Sequence, residues 1–251
     1  NYCKNDNTGP DHINEKKAYE TGKAIATFHR NLIDFPDPPL NETITGFHDV
    51  ALRINNFENA LRSSEPGKRS EAGHEIEKIS SRKHKMFDVG QLIKSGKIPA
   101  RVTHNDTKIN NFLFDKNDRV ICLIDLDTVM NGSVLFDFGD ALRTLASSSD
   151  ENDPDIAGVS FNLVLYKAFS KGYIQAAGSF LTKTEIENLA FSPKLMTYIM
   201  AVRFLTDFLE GNIYYKVSNE KQNLVRAKNQ LALLESMEKH IVAMENYISK
   251  L

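Results

Sequence analysis

Cysteine is scarce in this sequence: Cys3 and Cys122 are the two among 251 residues. Two thiols are too few for a disulfide framework or a cysteine-built zinc site, and a reducing, cytoplasmic setting fits that usage. Cys122 falls inside an apolar run, which predicts a buried thiol. Long apolar stretches are missing as well. Nothing approaches about 18 consecutive apolar residues, so the sequence predicts no membrane-spanning helix. The first thirty residues are polar and charged, without the apolar core of a signal peptide. Neither sign of charge dominates, with 31 Lys+Arg against 33 Asp+Glu and a net charge of −2. That balance argues against a general nucleic-acid binder, which needs a basic stripe. Low-complexity tracts and internal repeats are absent too. What is present is 41% hydrophobic and 25% charged residues, ordinary for a globular chain of one large domain or two small ones.

Helical spacing of apolar residues dominates. Residues 1–11 read as a polar lead-in. Ala18, Ile25 and Leu32 predict a helix over 12–33, ended by the proline-rich Asp34–Pro39 stretch. Charge-rich helices follow at 47–63 and 70–88. Further helices are predicted at 134–147, 156–176, 183–190, 193–211 and 219–250. The last opens on a capping-box-like pair, Asn219 and Gln222. The pattern changes at 99–128, where two short apolar runs flank Lys116–Arg119. This predicts a β-hairpin. The fold class is therefore mainly α with a small β-hairpin.

The chemistry concentrates in and beside that hairpin. His104-Asn105-Asp106-Thr107-Lys108-Ile109-Asn110-Asn111 enters its first strand, and Ile124-Asp125-Leu126-Asp127 ends its second. A connection over 116–120 makes Asp115 face Ile121 and, counting back, Asn111 face Asp125. Paired strands lie about 4.8 Å apart, so a carboxamide oxygen and a carboxylate there can hold one cation between them. Oxygen ligands suit Mg²⁺, which also takes phosphate oxygens and water. Asp106, just before the strand, is then placed to accept a proton from an attacking hydroxyl, an effect worth about 10²–10⁴-fold. Phosphoryl transfer uses this combination.

The H-x-D-x-x-x-x-N loop followed by I-D-x-D resembles the phosphotransferase superfamily of aminoglycoside and choline kinases, which shares the protein-kinase fold. The strings THNDTKINNFLFD, LIDLDTVMNGSVLFDFGDALR and RFLTDFLEGNIYY resemble the N-acetylhexosamine kinases, which phosphorylate an anomeric hydroxyl. The resemblance covers most of the chain. It implies Asp106 as catalytic base and as a ligand of the hydroxyl it deprotonates. It further implies Asn111 and Asp125 as Mg²⁺ ligands with Asp127 a possible second acid, and His104 as a brace of the loop backbone. Arg203 and Tyr214 are the sugar-binding residues it implies. Arg203 also has Asp207 one turn further on, which leaves an in-helix ion pair open. ATP and Mg²⁺ are the implied cofactors; a small-molecule sugar and a nucleotide, with no nucleic acid or membrane, are the implied partners.

Asp137-Phe138-Gly139 matches the magnesium-binding triplet of protein kinases by letters only. It lies 31 residues after Asp106, against 19 for Asp125, and ends no strand. Asp137 is expected to cap or anchor the helix over 134–147, and the superfamily often uses an Asp here to tie down the catalytic loop. Gly90–Ile98 fails as a P-loop by spacing, and His74-Glu75 lacks the second histidine of a zinc helix. No G-x-G-x-x-G occurs. With Asn1 as first residue, residues 1–251 are expected to be the helical C-terminal lobe of a longer kinase, without the nucleotide-binding lobe and with little or no turnover alone. Two other functions stay open. One is the same chemistry on an aminoglycoside, choline or another amino-alcohol, which Arg203 disfavours because cationic acceptors want acidic or aromatic pockets. The other is a non-catalytic, pseudokinase-like sugar-binding module, against which Asp106, Asn111 and Asp125 speak.

Overall fold

The computed structural model describes residues 12–35 and 40–251. The lead-in at 1–11 and the prolines at 36, 38 and 39 lie outside the described residues. Among the described residues, nine α-helices and four short strands follow in chain order: α1 (Glu15–Asn31), α2 (Val50–Ser63), α3 (Pro66–Glu71), α4 (Gly73–Lys94), β1 (Arg101–Thr103), β2 (Phe112–Phe114), β3 (Val120–Leu123), β4 (Met130–Gly132), α5 (Val134–Leu145), α6 (Leu163–Ala177), α7 (Lys183–Leu189), α8 (Ser192–Glu210) and α9 (Gln222–Ile248). None of these helices is long and apolar enough to cross a membrane.

Local chemistry sets the helix starts. Asn14 accepts the Lys17 N–H at 2.9 Å, Asp49 that of Leu52 at 3.0 Å, and Asn162 those of Val164 and Leu165 at 3.0 and 3.2 Å. Each side chain satisfies donors that a first turn leaves open. α7 begins with a full capping box between Thr182 and Glu185. The carboxylate of Glu185 also takes Arg101 on both oxygens, at 2.7 and 2.9 Å, and so ties α7 to β1.

α8 runs through the centre. Leu195, Tyr198, Ile199, Val202, Phe204 and Leu205 are all buried, with α2, α5 and α9 packed around them. α1 crosses α6 so closely that a Cβ at Gly22 would lie 2.2 Å from the Phe169 carbonyl oxygen. At Gly172 a Cβ would lie 2.1 Å from that of Tyr19, so both positions require glycine.

Several expectations are corrected. The helix expected at 70–88 breaks at Ala72, between α3, started by Pro66, and a longer α4. The helix expected from 156 starts at Leu163, where Asn162 caps it; 156–158 is a single 3₁₀ turn. Asn219 and Gln222 form no capping box, because Gln222 Oε1 accepts from Ser218 N at 2.5 Å instead. A second antiparallel pair, β1 with β4, accompanies the expected hairpin.

The hairpin of β2 and β3 has a different register. Phe112 faces Leu123, Leu113 faces Cys122 and Phe114 faces Val120. Asp115 closes a tight turn by accepting the Asn117 and Arg119 N–H groups, with Asp118 left-handed at φ 60°. Ile121 is the extra, bulged residue, so Asn111 pairs with Ile124 (N–H to O, 2.9 Å) and Asp125 falls one position beyond. β3 is also less covered than its apolar letters suggest. Cys122 is exposed, not buried, since a two-stranded sheet leaves one of its faces without a packing layer.

Candidate active site

The loop from Thr103 to Asn111 is held from beneath by Asp137. Its Oδ1 accepts the Asn105 N–H at 2.6 Å and its Oδ2 the His104 N–H at 2.8 Å. Oδ2 also meets His29 Nε2 of α1 at 2.7 Å, and His29 Nδ1 meets the Tyr173 hydroxyl of α6 at 3.0 Å. Asp137 is fully buried. Burial pushes its carboxyl pKa up, but the His29 hydrogen bond and charge with the His104 contacts outweigh that and hold it below the usual range. The cap of α5 is Ser133, whose hydroxyl accepts from Leu135, and not Asp137. Gly139 serves packing: a Cβ there would lie 2.3 Å from the Ser192 carbonyl oxygen of α8.

Asn105 takes the left-handed backbone conformation, φ 66°. Its amide group bridges the carbonyls of Thr103 and Thr128 at 3.2 and 3.1 Å, fixing where the chain turns toward Asp106. His104 ties the loop to the end of β3. Its Nε2 donates to the Ile124 carbonyl at 3.0 Å and its Nδ1 accepts the Asp106 N–H at 3.3 Å. These two bonds require the Nε2–H tautomer, because a carbonyl only accepts.

Four polar side chains converge at this point. Asn111 is buried and donates its amide to the Asp106 carbonyl at 2.7 Å and carboxylate at 3.2 Å. Lys108 Nζ lies 2.7 Å from Asp106 Oδ2 and 4.0 Å from Asp125 Oδ2, so one ammonium spans both carboxylates. Burial lowers the lysine pKa, but the Asp106 hydrogen bond and the charges of Asp106, Asp140 and Asp125 raise it further. Asp125 is left-handed, φ 66°, and begins the 3₁₀ turn Leu126–Thr128. Asp127 lies in that turn, exposed. The structure thus brings Asp106, Asn111 and Asp125 together and leaves Asp127 at the edge.

From Asp106 a cavity of about 590 Å³ extends to Arg203, Tyr214 and Tyr215. The Arg203 guanidinium stands 4.8 Å from the Phe47 ring, 5.7 Å from Tyr214 and 5.5 Å from Tyr215. Among the described residues it has no carboxylate within ion-pairing distance; the in-helix pair with Asp207 is not formed, and its one hydrogen bond is to Met200 Sδ at 3.6 Å. Arg143 also lines the cavity. It neutralises Asp140 at 2.9 Å and Glu151 at 3.1 Å, so two of the acids lining the cavity are already matched.

Sequence reasoning passed over Lys108, His29 and Arg143. The D-x-K spacing after Asp106 was a readable sign of the first. The other two depend on which helices pack together.

A model of a phosphotransferase enzyme family matches residues 7–178. Among solved structures, the chain is similar in fold to a choline kinase from Cryptosporidium parvum Iowa II. The TM-score is 0.56 at 13% identity, over 99% of this chain and 74% of that one. An ADP-bound aminoglycoside phosphotransferase aligns at 14% identity and a TM-score of 0.48, over 94% of this chain and 71% of that one. The mostly helical architecture is similar to that of the choline kinase.

Proposed function

The chain belongs to the phosphotransferase enzyme family, and from that premise we propose that it transfers the γ-phosphoryl group of ATP, with Mg²⁺, to a sugar hydroxyl. The acceptor we favour is the anomeric hydroxyl of an N-acetylhexosamine. One observation carries this reading: Asp106 and Arg203, which no carboxylate pairs among the described residues, bound the same cavity, the first beside Asn111 and Asp125, the second framed by Phe47, Tyr214 and Tyr215. A guanidinium without a carboxylate is suited to a neutral acceptor's carbonyl or hydroxyl oxygens and repels a cationic amine.

In this reading the acceptor hydroxyl lies against Asp106. Its O–H proton passes to the carboxylate as the oxygen bonds to the γ-phosphorus and the bond to the ADP oxygen breaks. His104 and Asp137 hold the loop so that the carboxylate needs no reorganisation. Asn111 and Asp125 would hold a divalent ion. Their oxygen donors suit Mg²⁺, the Asn111 amide end is already used by Asp106, and an ammonium already lies between the two carboxylates. Bound there, the ion would supply positive charge to the nucleotide phosphates. Among the described residues no three His, Cys, Asp or Glu side chains converge on a metal position. We assign the remaining ligands to nucleotide oxygens and water.

We further propose that residues 1–251 act as the catalytic-loop and acceptor lobe beside a nucleotide-binding lobe. Leu126, next to Asp125 and 54% accessible, offers that lobe and the nucleotide an apolar contact.

The test has two steps. Calorimetric titration with N-acetylglucosamine, N-acetylgalactosamine, kanamycin and choline should give saturable binding to an N-acetylhexosamine. Phosphorus NMR with ATP and Mg²⁺ on the protein with its nucleotide-binding lobe should then show a sugar phosphate. Binding of choline or kanamycin alone would reassign the acceptor, and no transfer to any of the four would remove the reading.

A further inference from the structure

The turn before α2 connects the acceptor cavity to the backbone beside Asp106. Gly46 is left-handed at φ 61°, and its carbonyl accepts the Asp49 N–H at 3.1 Å. Arg53 clamps the turn from α2, donating to the Phe47 carbonyl from Nε at 3.1 Å and from Nη2 at 2.9 Å. The Phe47 and His48 rings then pack in a tilted pair, centroids 4.3 Å apart and planes at 40°. Phe47 turns to Arg203, whereas His48 packs against Phe136 at 5.0 Å and donates Nε2–H to the Asn105 carbonyl at 2.8 Å.

The peptide that leads into Asp106 is therefore gripped at both ends of Asn105: its N–H by Asp137 of α5, its carbonyl by His48. Asn105 itself is held left-handed, a conformation that costs energy for a residue with a Cβ and persists only where neighbours impose it. His48 is 6% exposed and, among the described residues, its Nδ1 has no hydrogen-bond partner, so the polar bond it makes there is the one to the loop. Burial pulls its pKa down to about 4, which keeps the ring neutral, and the Asn105 carbonyl, which only accepts, selects the Nε2–H tautomer. A second cavity of about 340 Å³ lies on this turn, lined by Phe47, His48, Val50, Phe87 and Phe136. The turn has space on that side as well as on the acceptor side.

We propose that His48 is a positioning residue for the transfer: an acceptor seated against Phe47 and Arg203 sets the turn, and His48 passes that setting to the Asn105–Asp106 peptide. The acceptor half rests on the phosphotransferase reading, whereas the loop-holding half stands without it.

Two variants test it. His48→Phe keeps the ring between Phe47 and Phe136 and removes the donor; His48→Gln returns an amide N–H. Hydrogen exchange on the free protein reads the loop directly. The amides of 104–107 should exchange at least ~10-fold faster in His48→Phe, with α8 unchanged, and return toward wild type in His48→Gln. In the transfer assay with N-acetylglucosamine, His48→Phe should lower kcat by about 10²-fold, and His48→Gln should recover most of it. The calorimetric Kd for N-acetylglucosamine should change less than ~3-fold across these variants. Unchanged exchange in His48→Phe, full kcat in that variant, or equal loss in both variants would overturn the proposal. If wild type phosphorylates none of the probes, the phosphotransferase reading fails, and the exchange result still decides whether His48 holds the loop.

Discussion

Arg203 and Asp207 lie one turn apart on α8 and do not pair. The Asp207 carboxylate instead accepts the backbone N–H groups of Tyr214 at 2.7 Å and Tyr215 at 3.0 Å, together with the Asn223 amide at 2.7 Å. It anchors the loop after α8, and that loop brings the two tyrosines over Arg203. The arginine is thus left for a ligand. Arg203→Ala should weaken N-acetylglucosamine binding about 10- to 100-fold, the size of a lost charged hydrogen bond with some ring stacking. Arg203→Lys should recover only part of this, since an ammonium lacks the planar fork. Calorimetry without nucleotide reads both variants, and unaltered binding in Arg203→Ala would move the acceptor elsewhere.

Asp106→Asn keeps the shape of the side chain and its place beside Asn111, but cannot take a proton. The rate should fall by about 10²–10⁴-fold with acceptor affinity within a few-fold. Steady-state kinetics beside calorimetry separates the two quantities. A variant that retains its rate removes Asp106 as base.

Asp125 and Asp127 are chemically alike and differently placed. Asp125 lies within one lysine's reach of Asp106, whereas Asp127 faces outward in the 3₁₀ turn. Asp125→Ala should raise the Mg²⁺ concentration needed for half-maximal rate by about 10-fold or more, the scale at which metal sites respond to lost partners. Asp127→Ala should shift it much less. The reverse order would exchange their roles.

The helices and the chemistry-bearing loop were legible in the sequence because each is written in short-range terms. Apolar spacing gave α1, α2, α5, α7, α8 and α9 nearly their observed spans, and His104, Asp106, Asn111 and Asp125 share one stretch of chain. The strand register was not legible. It turns on one bulged residue, Ile121, and on a left-handed Asp118, and a one-residue slip changes which side chains oppose. β1 and β4 escaped notice because three residues are too few to show alternation. His48 could not be found either. It lies 57 residues before the carbonyl it binds, in a turn whose purpose shows only when α2 packs beside the loop.

Two buried groups give stability a defined pH dependence. Burial drags the His48 pKa from 6.5 to about 4, assisted by Arg203 and Arg53 and opposed by the Asn105 bond and Asp137. The unfolded chain therefore takes up a proton that the folded chain refuses. Stability should be level above pH 6.5 and decline as pH falls to 4, by about 3 kcal/mol from this group. Asp137 acts in the next window. Its folded pKa lies below the ordinary 3.8, so its contribution is present above that value and is lost as pH falls further. Urea denaturation at pH 7.5, 6.5, 5.5 and 4.5 should give a smaller slope for His48→Phe than for wild type. Equal slopes would show that His48 titrates normally.

The triplet Asp137-Phe138-Gly139 offers the sharpest separation between letters and structure. In a metal-binding loop its glycine would serve backbone freedom, and changing it would act on activity. Here Gly139 is inside α5, against the Ser192 carbonyl of α8, where a methyl group would come within 2.3 Å of that oxygen. Helical backbone accepts alanine readily, even gaining up to about 1 kcal/mol over glycine, so any loss must come from the helix crossing. That contact is with backbone and cannot turn aside; α5 must move off α8, and with it Asp137 and the loop above. Gly139→Ala should therefore cost about 1–3 kcal/mol or more, seen as a lower Tm. Acceptor binding by the fraction still folded should persist. A variant of unaltered Tm but lost activity would return the triplet to the chemistry of the site.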